Sequence, residues 1–265
     1  MKVRGRRVPH VDRLKGKVAI VTGAGSRGPG VGNGKAAAVL FAREGARVLC
    51  VDQFLERAEE TCGLIRAEKG EASSLQADVT RAADCERMVR TAVERYGRLD
   101  VLHNNVGIES RKGLLETSEE EWDRVMAVDV KSMLLTSQAA VPRLREAGGG
   151  SIINVSSVAG IRAHGRTAYA AAKAGAIGLT ISLAGQLAQD RIRVNAIAPG
   201  FVYTPMVAEG MSAELRERRR LAALIQDEGT GWDVGWAAVY LASDESRWVT
   251  GQVLVVDGGL SITTR

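Results

Sequence analysis

The stretch "KVAIVTGAGSRGPGVGNGKAAAVLFARE", residues 17–44, decides the fold. It opens on a short apolar run rich in Val and Ile, the pattern of a strand covered on both faces. It closes on "KAAAVLFARE", which reads as a helix. Between them, "TGAGSRGPGVGNGK" (22–35) holds six glycines in fourteen positions. A Gly-rich turn between strand and helix lets backbone amides at the helix N-terminus approach a phosphate. Gly23-Ala24-Gly25-Ser26-Arg27-Gly28 matches GxGxxG literally, but the helix start decides which glycines matter. A helix opening at Pro29 would carry Gly30, Gly32 and Gly34 in its first turns, each costing about 0.8–1 kcal/mol against Ala. The helix is therefore expected to begin near Asn33–Lys35. Gly23 then makes the exit from the strand, and Ser26, Gly32, Asn33 and Gly34 are the candidate phosphate contacts. The residues between Ser26 and Gly32 bulge outward.

Working outward, Val- and Ile-rich runs alternate with helical patterns along the whole chain. Strands are expected at 17–22, 46–52, 99–105, 150–157, 192–198 and 252–257, with a weaker seventh at 71–79. Helices are expected at about 35–44, 53–69, 81–96, 119–146, 167–188 and 231–242. Such alternation means right-handed crossovers and a parallel sheet. The fold class is α/β: a single doubly wound Rossmann-type domain with a seven-stranded parallel sheet and helices on both faces. It is expected over 15–265, after a basic N-terminal arm at 1–14. The irregular segment 200–230 carries scattered apolar side chains, and 203–229 is assigned as a substrate lid.

Charge is uneven. Residues 1–17 hold seven basic side chains against Asp12, a net +6, which leaves the other 248 residues near −1 out of a total of +5. The basicity is thus a tail, read as a solvated arm in preference to a nucleic-acid or anionic-surface contact. Cys50, Cys62 and Cys85 match no metal-ligand spacing, so no metal is expected, and they read as reduced thiols of a cytoplasmic protein. No apolar run is long enough to span a membrane.

Asp52 closes the second strand, where this architecture places an acid on the adenosine ribose hydroxyls. A carboxylate there repels a 2′-phosphate, so NAD is expected over NADP. Arg27, which could hold a 2′-phosphate or pair with Asp52, is the opposing signal.

The chemistry lies in "SSVAGIRAHGRTAYAAAK" (156–173). Tyr169 and Lys173 are four apart and share a helix face. Ser157 lies at the carboxyl end of a strand, where ligands sit. Removing a carbinol proton with a phenol of reference pKa about 10 near neutral pH needs about 4 kcal/mol of assistance. An ammonium at about 4 Å supplies roughly that at an effective dielectric of 20. Ser157 can hydrogen-bond the substrate oxygen.

With "NNVG" (104–107), "NAIAPGFVYTP" (195–205) and "VDGG" (256–259), these motifs resemble, in order, those of the short-chain dehydrogenase/reductase family over about residues 14–260. The resemblance implies a nicotinamide-dependent oxidoreductase. In it Tyr169 is the catalytic acid/base, Lys173 lowers its pKa and binds the nicotinamide ribose, and Ser157 orients the substrate. It implies that Asp78 and Val79 meet the adenine, Asn105 and Gly107 the adenine-side ribose and central sheet, and Pro199, Gly200, Val202 and Thr204 the carboxamide end. It also implies a homotetramer built through the 119–146 and 167–188 helices and the C-terminal strand.

Three departures stand out. The glycine turn is about five residues longer than the family's, leaving Arg27–Val31 as an apparent insertion and Gly23, Gly32 and Gly34 as the family's three glycines. Val106 replaces Ala. Asp129, in "VDV", replaces an Asn that acts near the lysine. Its charge is expected to weaken the pull of Lys173 on Tyr169 and shift activity to alkaline pH. Candidate substrate walls are Ile108, Glu109, residues 160–164, Tyr203, Met206, Val207 and Met211, with Arg162 and His164 as polar options. They suit a secondary alcohol or ketone on an apolar or alicyclic skeleton. A 3-oxoacyl-thioester reductase using NADPH and a non-catalytic dinucleotide sensor are the alternatives.

Overall fold

The computed structural model describes residues 12–263. Seven strands form one sheet in the order β3-β2-β1-β4-β5-β6-β7: β1 (Val18–Thr22), β2 (Arg47–Asp52), β3 (Ala72–Gln76), β4 (Val101–Asn104), β5 (Gly150–Val155), β6 (Ile192–Pro199) and β7 (Val253–Val256). Every pairing is parallel. The strand order reverses between β1 and β4, so a crevice opens beyond the carboxyl ends of these two strands. The sheet therefore has the doubly wound form that the alternation predicts.

Alternate residues of each strand face opposite layers, as a period of two requires. Ala19, Val21, Val48 and Cys50 pack with α1 (Asn33–Arg43) and α9 (Gly231–Ala242). Val18, Ile20, Leu49 and Val51 pack with α3 (Ala82–Tyr96), α5 (Ser132–Glu146) and α6 (Thr167–Leu187). Both faces of the inner strands are thus buried, which is why their sequences are apolar without alternation, while the edge strands β3 and β7 are only partly covered. The remaining helices are α2 (Leu55–Ala67), α4 (Glu119–Met126) and two short ones in the 200–230 segment, α7 (Pro205–Ala208) and α8 (Ala213–Leu221). Cys50, Cys62 and Cys85 are free and buried. Among the described residues no helix is long and apolar enough to cross a membrane, and no group of three or more His, Cys, Asp or Glu could hold a metal.

Two expectations change. The helix expected over 119–146 is two helices, α4 and α5, joined by a π-helical turn at Ala127–Lys131. One extra residue in a turn leaves the apolar period almost unaltered, so periodicity could not register it. Residues 1–11 of the basic arm lie outside the described residues. Within 12–14 the chain is already docked: Leu14 is fully buried, and the Arg13 guanidinium grips Glu245 at 2.6–2.7 Å. Lys17 pairs with Asp244 at 2.6 Å.

A chain of polar side chains crosses the sheet beneath the crevice. Thr136 Oγ1 of α5 donates to Asn104 Oδ1 (2.8 Å), Asn104 Nδ2 to Asn154 Oδ1 (2.9 Å), and Asn154 Nδ2 to Thr180 Oγ1 of α6 (3.0 Å). All four residues are buried. Each partner satisfies the next, so the network fixes both helices against β4 and β5 at little desolvation cost.

His103, beside Asn104 on β4, is fully buried and meets Phe41 edge-on at 5.9 Å. Burial pushes its imidazole down to about 4, against an opposing pull from the Ile153 backbone. Between pH 6.5 and about 4 the unfolded chain takes up a proton that the native chain refuses. Its contribution to stability is complete above that window and falls as the pH drops through it, by about 3 kcal/mol in all. Urea unfolding at pH 7 and pH 4.5 is expected to show a smaller loss for His103→Leu than for the wild type; equal losses would remove His103 as a cause.

Candidate active site

The glycine turn folds as its register requires. α1 starts at Asn33 with Gly32 as its N-cap, so its first-turn amides have no acceptor within the helix. Gly23 takes a left-handed conformation, φ +63°, and turns the chain out of β1. A Cβ on Gly34 would lie 2.1 Å from the Gly23 carbonyl oxygen, so no side chain fits there. The Ser26 hydroxyl accepts from the Gly32 amide at 3.0 Å and pins the two ends of the bulge together. Ser26 thus spends an acceptor within the loop. Gly25, not among the three glycines matched to the family's turn, is as constrained as Gly34: a Cβ there would be 2.3 Å from Arg57 Cβ.

Asp52 lies at the end of β2 facing this turn. Its two oxygens accept from the Gly25 amide (3.0 Å) and the Phe54 amide (3.1 Å). The pairing of Arg27 with Asp52 weighed above does not form: backbone amides already hold the carboxylate, and Arg27 is exposed. Asp78 is turned toward Thr80, whose amide and hydroxyl both donate to Asp78 Oδ1. Asn105 Nδ2 donates to the Gly23 carbonyl at 3.1 Å, tying β4 to the turn.

Across the crevice, Tyr169 and Lys173 of α6 share a face as their spacing predicts. Lys173 Nζ lies 5.5 Å from the centre of the Tyr169 ring. The ammonium is buried, forms an ion pair with Asp129 Oδ2 at 2.9 Å, and donates to the Val155 carbonyl at 3.2 Å. Asp129 projects from the π-helical turn and is fully buried. Its other oxygen accepts from the Ile108 amide at 2.8 Å. Burial alone would pull the Lys173 ammonium down, but the charge of Asp129, then that of Tyr169 and the hydrogen bond to Asp129, leave it raised. A Cβ on Gly107 would sit 2.9 Å from Lys173 Nζ and 3.2 Å from Asp129 Oδ2, so a larger residue there would displace the ion pair. The two serines separate by role. Both line the cavity, but Ser156 is buried and its Oγ donates to the Lys173 carbonyl at 2.7 Å, anchoring α6, whereas the Ser157 Oγ only accepts from the Ala159 amide at 3.2 Å.

Glycine turn, Asp52, Asp78, Val79, Asn105, Gly107, Ser157, Tyr169, Lys173, Pro199, Gly200, Val202 and Thr204 line one continuous cavity of about 720 Å³. Asp129 alone of the candidate residues stands behind its wall, reaching the cavity through Lys173. The substrate walls are partly other than expected. Ile108, Glu109, His164, Met206 and Val207 do line the cavity. Tyr203 instead lies under the Arg216 guanidinium at 3.7 Å, and Arg162 turns away to donate to the Leu260 carbonyl. Met211 also lies off the cavity, and Phe201, Arg166 and Arg219 take these places. Arg166 stands three residues before Tyr169 within the 156–173 stretch, whereas Arg219 carries no sequence motif and only tertiary packing brings it to the site.

An open parallel sheet with a glycine turn at its switch point and a Ser/Tyr/Lys group across the crevice defines a Rossmann-type oxidoreductase scaffold. A family model described as enoyl-(acyl carrier protein) reductase matches residues 30–261. The chain is 42% identical to 3-oxoacyl-[acyl-carrier-protein] reductase FabG of Thermotoga maritima, over 94% of this chain and 100% of the relative. It is 36% identical to 2,5-dichloro-2,5-cyclohexadiene-1,4-diol dehydrogenase LinX of Sphingobium indicum, over 95% of this chain and 98% of the relative. The structure of a 7α-hydroxysteroid dehydrogenase complexed with NADH and 7-oxo glycochenodeoxycholic acid superposes with a TM-score of 0.88 at 32% identity, covering 94% of this chain and 96% of that one. The chain belongs to the short-chain dehydrogenase/reductase family of oxidoreductases.

Proposed function

We propose that this protein transfers a hydride between NAD and a secondary alcohol or ketone of apolar or alicyclic skeleton. The observation that carries the reading is the joining of Ser157, Tyr169 and Lys173 to the glycine turn in one cavity. The residues fit a dinucleotide: the first-turn amides of α1 are free of helical partners, and the close packing of Gly34 on the Gly23 carbonyl holds the turn against the start of that helix, on the wall of the cavity. When bound, the nicotinamide accepts or returns the hydride. Tyr169 exchanges the hydroxyl proton at the substrate oxygen, and Ser157 donates a hydrogen bond to that same oxygen. The Lys173 ammonium favours negative charge on the phenol oxygen during the exchange. Asp129 acts through Lys173, holding the ammonium in place and offsetting part of its charge. Ser26, Gly32, Asn33 and Gly34 serve the phosphate side, Asp78 and Val79 the adenine, Asn105 and Gly107 the adenine-side ribose and central sheet, and Pro199, Gly200, Val202 and Thr204 the carboxamide. The 203–229 segment serves as the lid, supported by Met206, Val207 and Arg219 lying in the cavity wall. Exposed Leu134 and Ile181, on α5 and α6, support a homotetramer assembled through those helices.

NAD is favoured because the Asp52 carboxylate, held by two amides, would face a 2′-phosphate. Asp52→Ala is expected to lower the NADH-to-NADPH ratio of kcat/KM at least about tenfold, equivalent to 1.4 kcal/mol. The similarity to a 3-oxoacyl-thioester reductase favours a second reading, with that substrate and NADPH. Absorbance assays of secondary alcohols with NAD, beside 3-oxoacyl thioesters with NADH and NADPH, separate the two. Turnover confined to thioesters with NADPH would reject the first.

A further inference from the structure

We infer that the substrate bears an anionic oxyacid group, carboxylate or phosphate, bound by Arg219 and Arg166 in the same cavity as Tyr169; this inference rests on the oxidoreductase reading above. Arg219 comes from α8 and Arg166 from the residue before α6, so two distant segments bring guanidinium groups to one wall. Of the other arginines on α8, Arg216 pairs with Glu228 and Arg220 with Glu217, while Arg218 is exposed to solvent. Among the described residues no carboxylate pairs with Arg219. Its guanidinium lies over the Phe201 ring at 4.2 Å, a contact that fixes its plane while leaving the N–H edge for a bidentate anion.

The surrounding charge is unbalanced. Glu109 is the only carboxylate paired at this wall among the described residues, and both Arg166 and Arg111 hold it. Two guanidinium groups thus share one acid, and Arg219 has none among the described residues. Burial pulls the Arg219 guanidinium down, and the charges of Arg166 and Arg111 add to the effect. Arg219 also helps, after burial and Arg162, to keep the half-buried His164 imidazole low. The His164 ring lies 6.3 Å from that of Tyr169, which puts this cationic wall beside the acid/base. Arg219, half-buried and without a counter-ion, carries a cost that an anionic ligand relieves, with Arg166 beside it sharing its own acid with Arg111.

The test uses the NADH-loaded full chain and calorimetric titration with cyclohexanecarboxylate, cyclohexyl phosphate and methyl cyclohexanecarboxylate, none of which can be reduced as a ketone. At least one anion is expected to bind about tenfold or more tightly than the neutral ester, and more weakly at high salt. Which anion binds better distinguishes carboxylate from phosphate. Arg219→Met is expected to bring anion and ester within about twofold of each other, and Arg219→Lys to recover part of the difference, which excludes simple misfolding. Equal binding of anions and ester, no binding of any of them, or a preference that survives Arg219→Met would overturn the proposal. So would an equal loss of NADH affinity in Arg219→Met, because the guanidinium would then serve the dinucleotide. Turnover of the matching pair, 4-oxocyclohexanecarboxylate and its methyl ester, is scored separately. Anion binding without reduction of either would leave the subsite standing and reject the catalytic reading.

Discussion

Tyr169→Phe is expected to lower kcat by about 10²–10⁴-fold, the range a positioned acid/base contributes, while the affinity for NADH stays within about twofold. Phenylalanine keeps the ring that packs near Lys173 and His164 and removes only the oxygen proposed to exchange the proton. The glycine turn and Asp52, proposed to hold the cofactor, lie across the crevice and are not disturbed. Fluorescence titration gives the NADH affinity, and steady-state kinetics with the best alcohol of the screen gives kcat. A variant that retains turnover rules out the phenol as the acid/base. A wild type that binds NADH yet turns over no alcohol or ketone points instead to the sensor reading.

Asp129 carries the second large effect. Its carboxylate and the Lys173 ammonium are both buried and 2.9 Å apart. Removing one member leaves the other charged and unpaired, a loss of about 3–5 kcal/mol. Asp129→Ala is therefore expected to unfold at clearly lower urea, whereas Asp129→Asn, which still accepts from the Ile108 amide, loses less. The raised Lys173 pKa fixes the sign of the pH effect. The pair's stabilisation is complete below the ordinary lysine range and is lost only as the pH climbs through the raised value, so the ammonium is fully charged at neutral pH. With its charge no longer offset in Asp129→Asn, it assists proton removal more strongly. The limb of the kcat/KM profile is expected to move about one unit toward lower pH, given that one pKa unit corresponds to 1.36 kcal/mol. An unmoved limb, with the variant folded, would show that Asp129 only positions the lysine.

The parts of the site legible in the sequence are those that follow from local spacing. Tyr169 and Lys173 share a face because α6 has 3.6 residues per turn. The start of α1 at Asn33 followed from the cost of three glycines in a helix. Ser157 was separable from Ser156 by resemblance, and the hydrogen bond of Ser156 to the Lys173 carbonyl supplies the physical reason. What stayed hidden depends on long-range packing. The constraint on Gly25 arises from Arg57, 32 residues along the chain. The π-helical turn that carries Asp129 inward changes the period by a single residue. Arg166 and Arg219 meet only when α8 folds back over the sheet, while Tyr203, apolar enough to suggest a wall, is taken up by Arg216.

The Thr136–Asn104–Asn154–Thr180 chain makes four positions on four different elements behave as one character. A leucine at any one of them would strand a donor or acceptor on its neighbour, so an apolar replacement is tolerable only when the set changes together. For anyone refitting this cavity to a new substrate, the floor beneath it is therefore a block to be kept or exchanged whole, and the freely variable surface begins at the loops above.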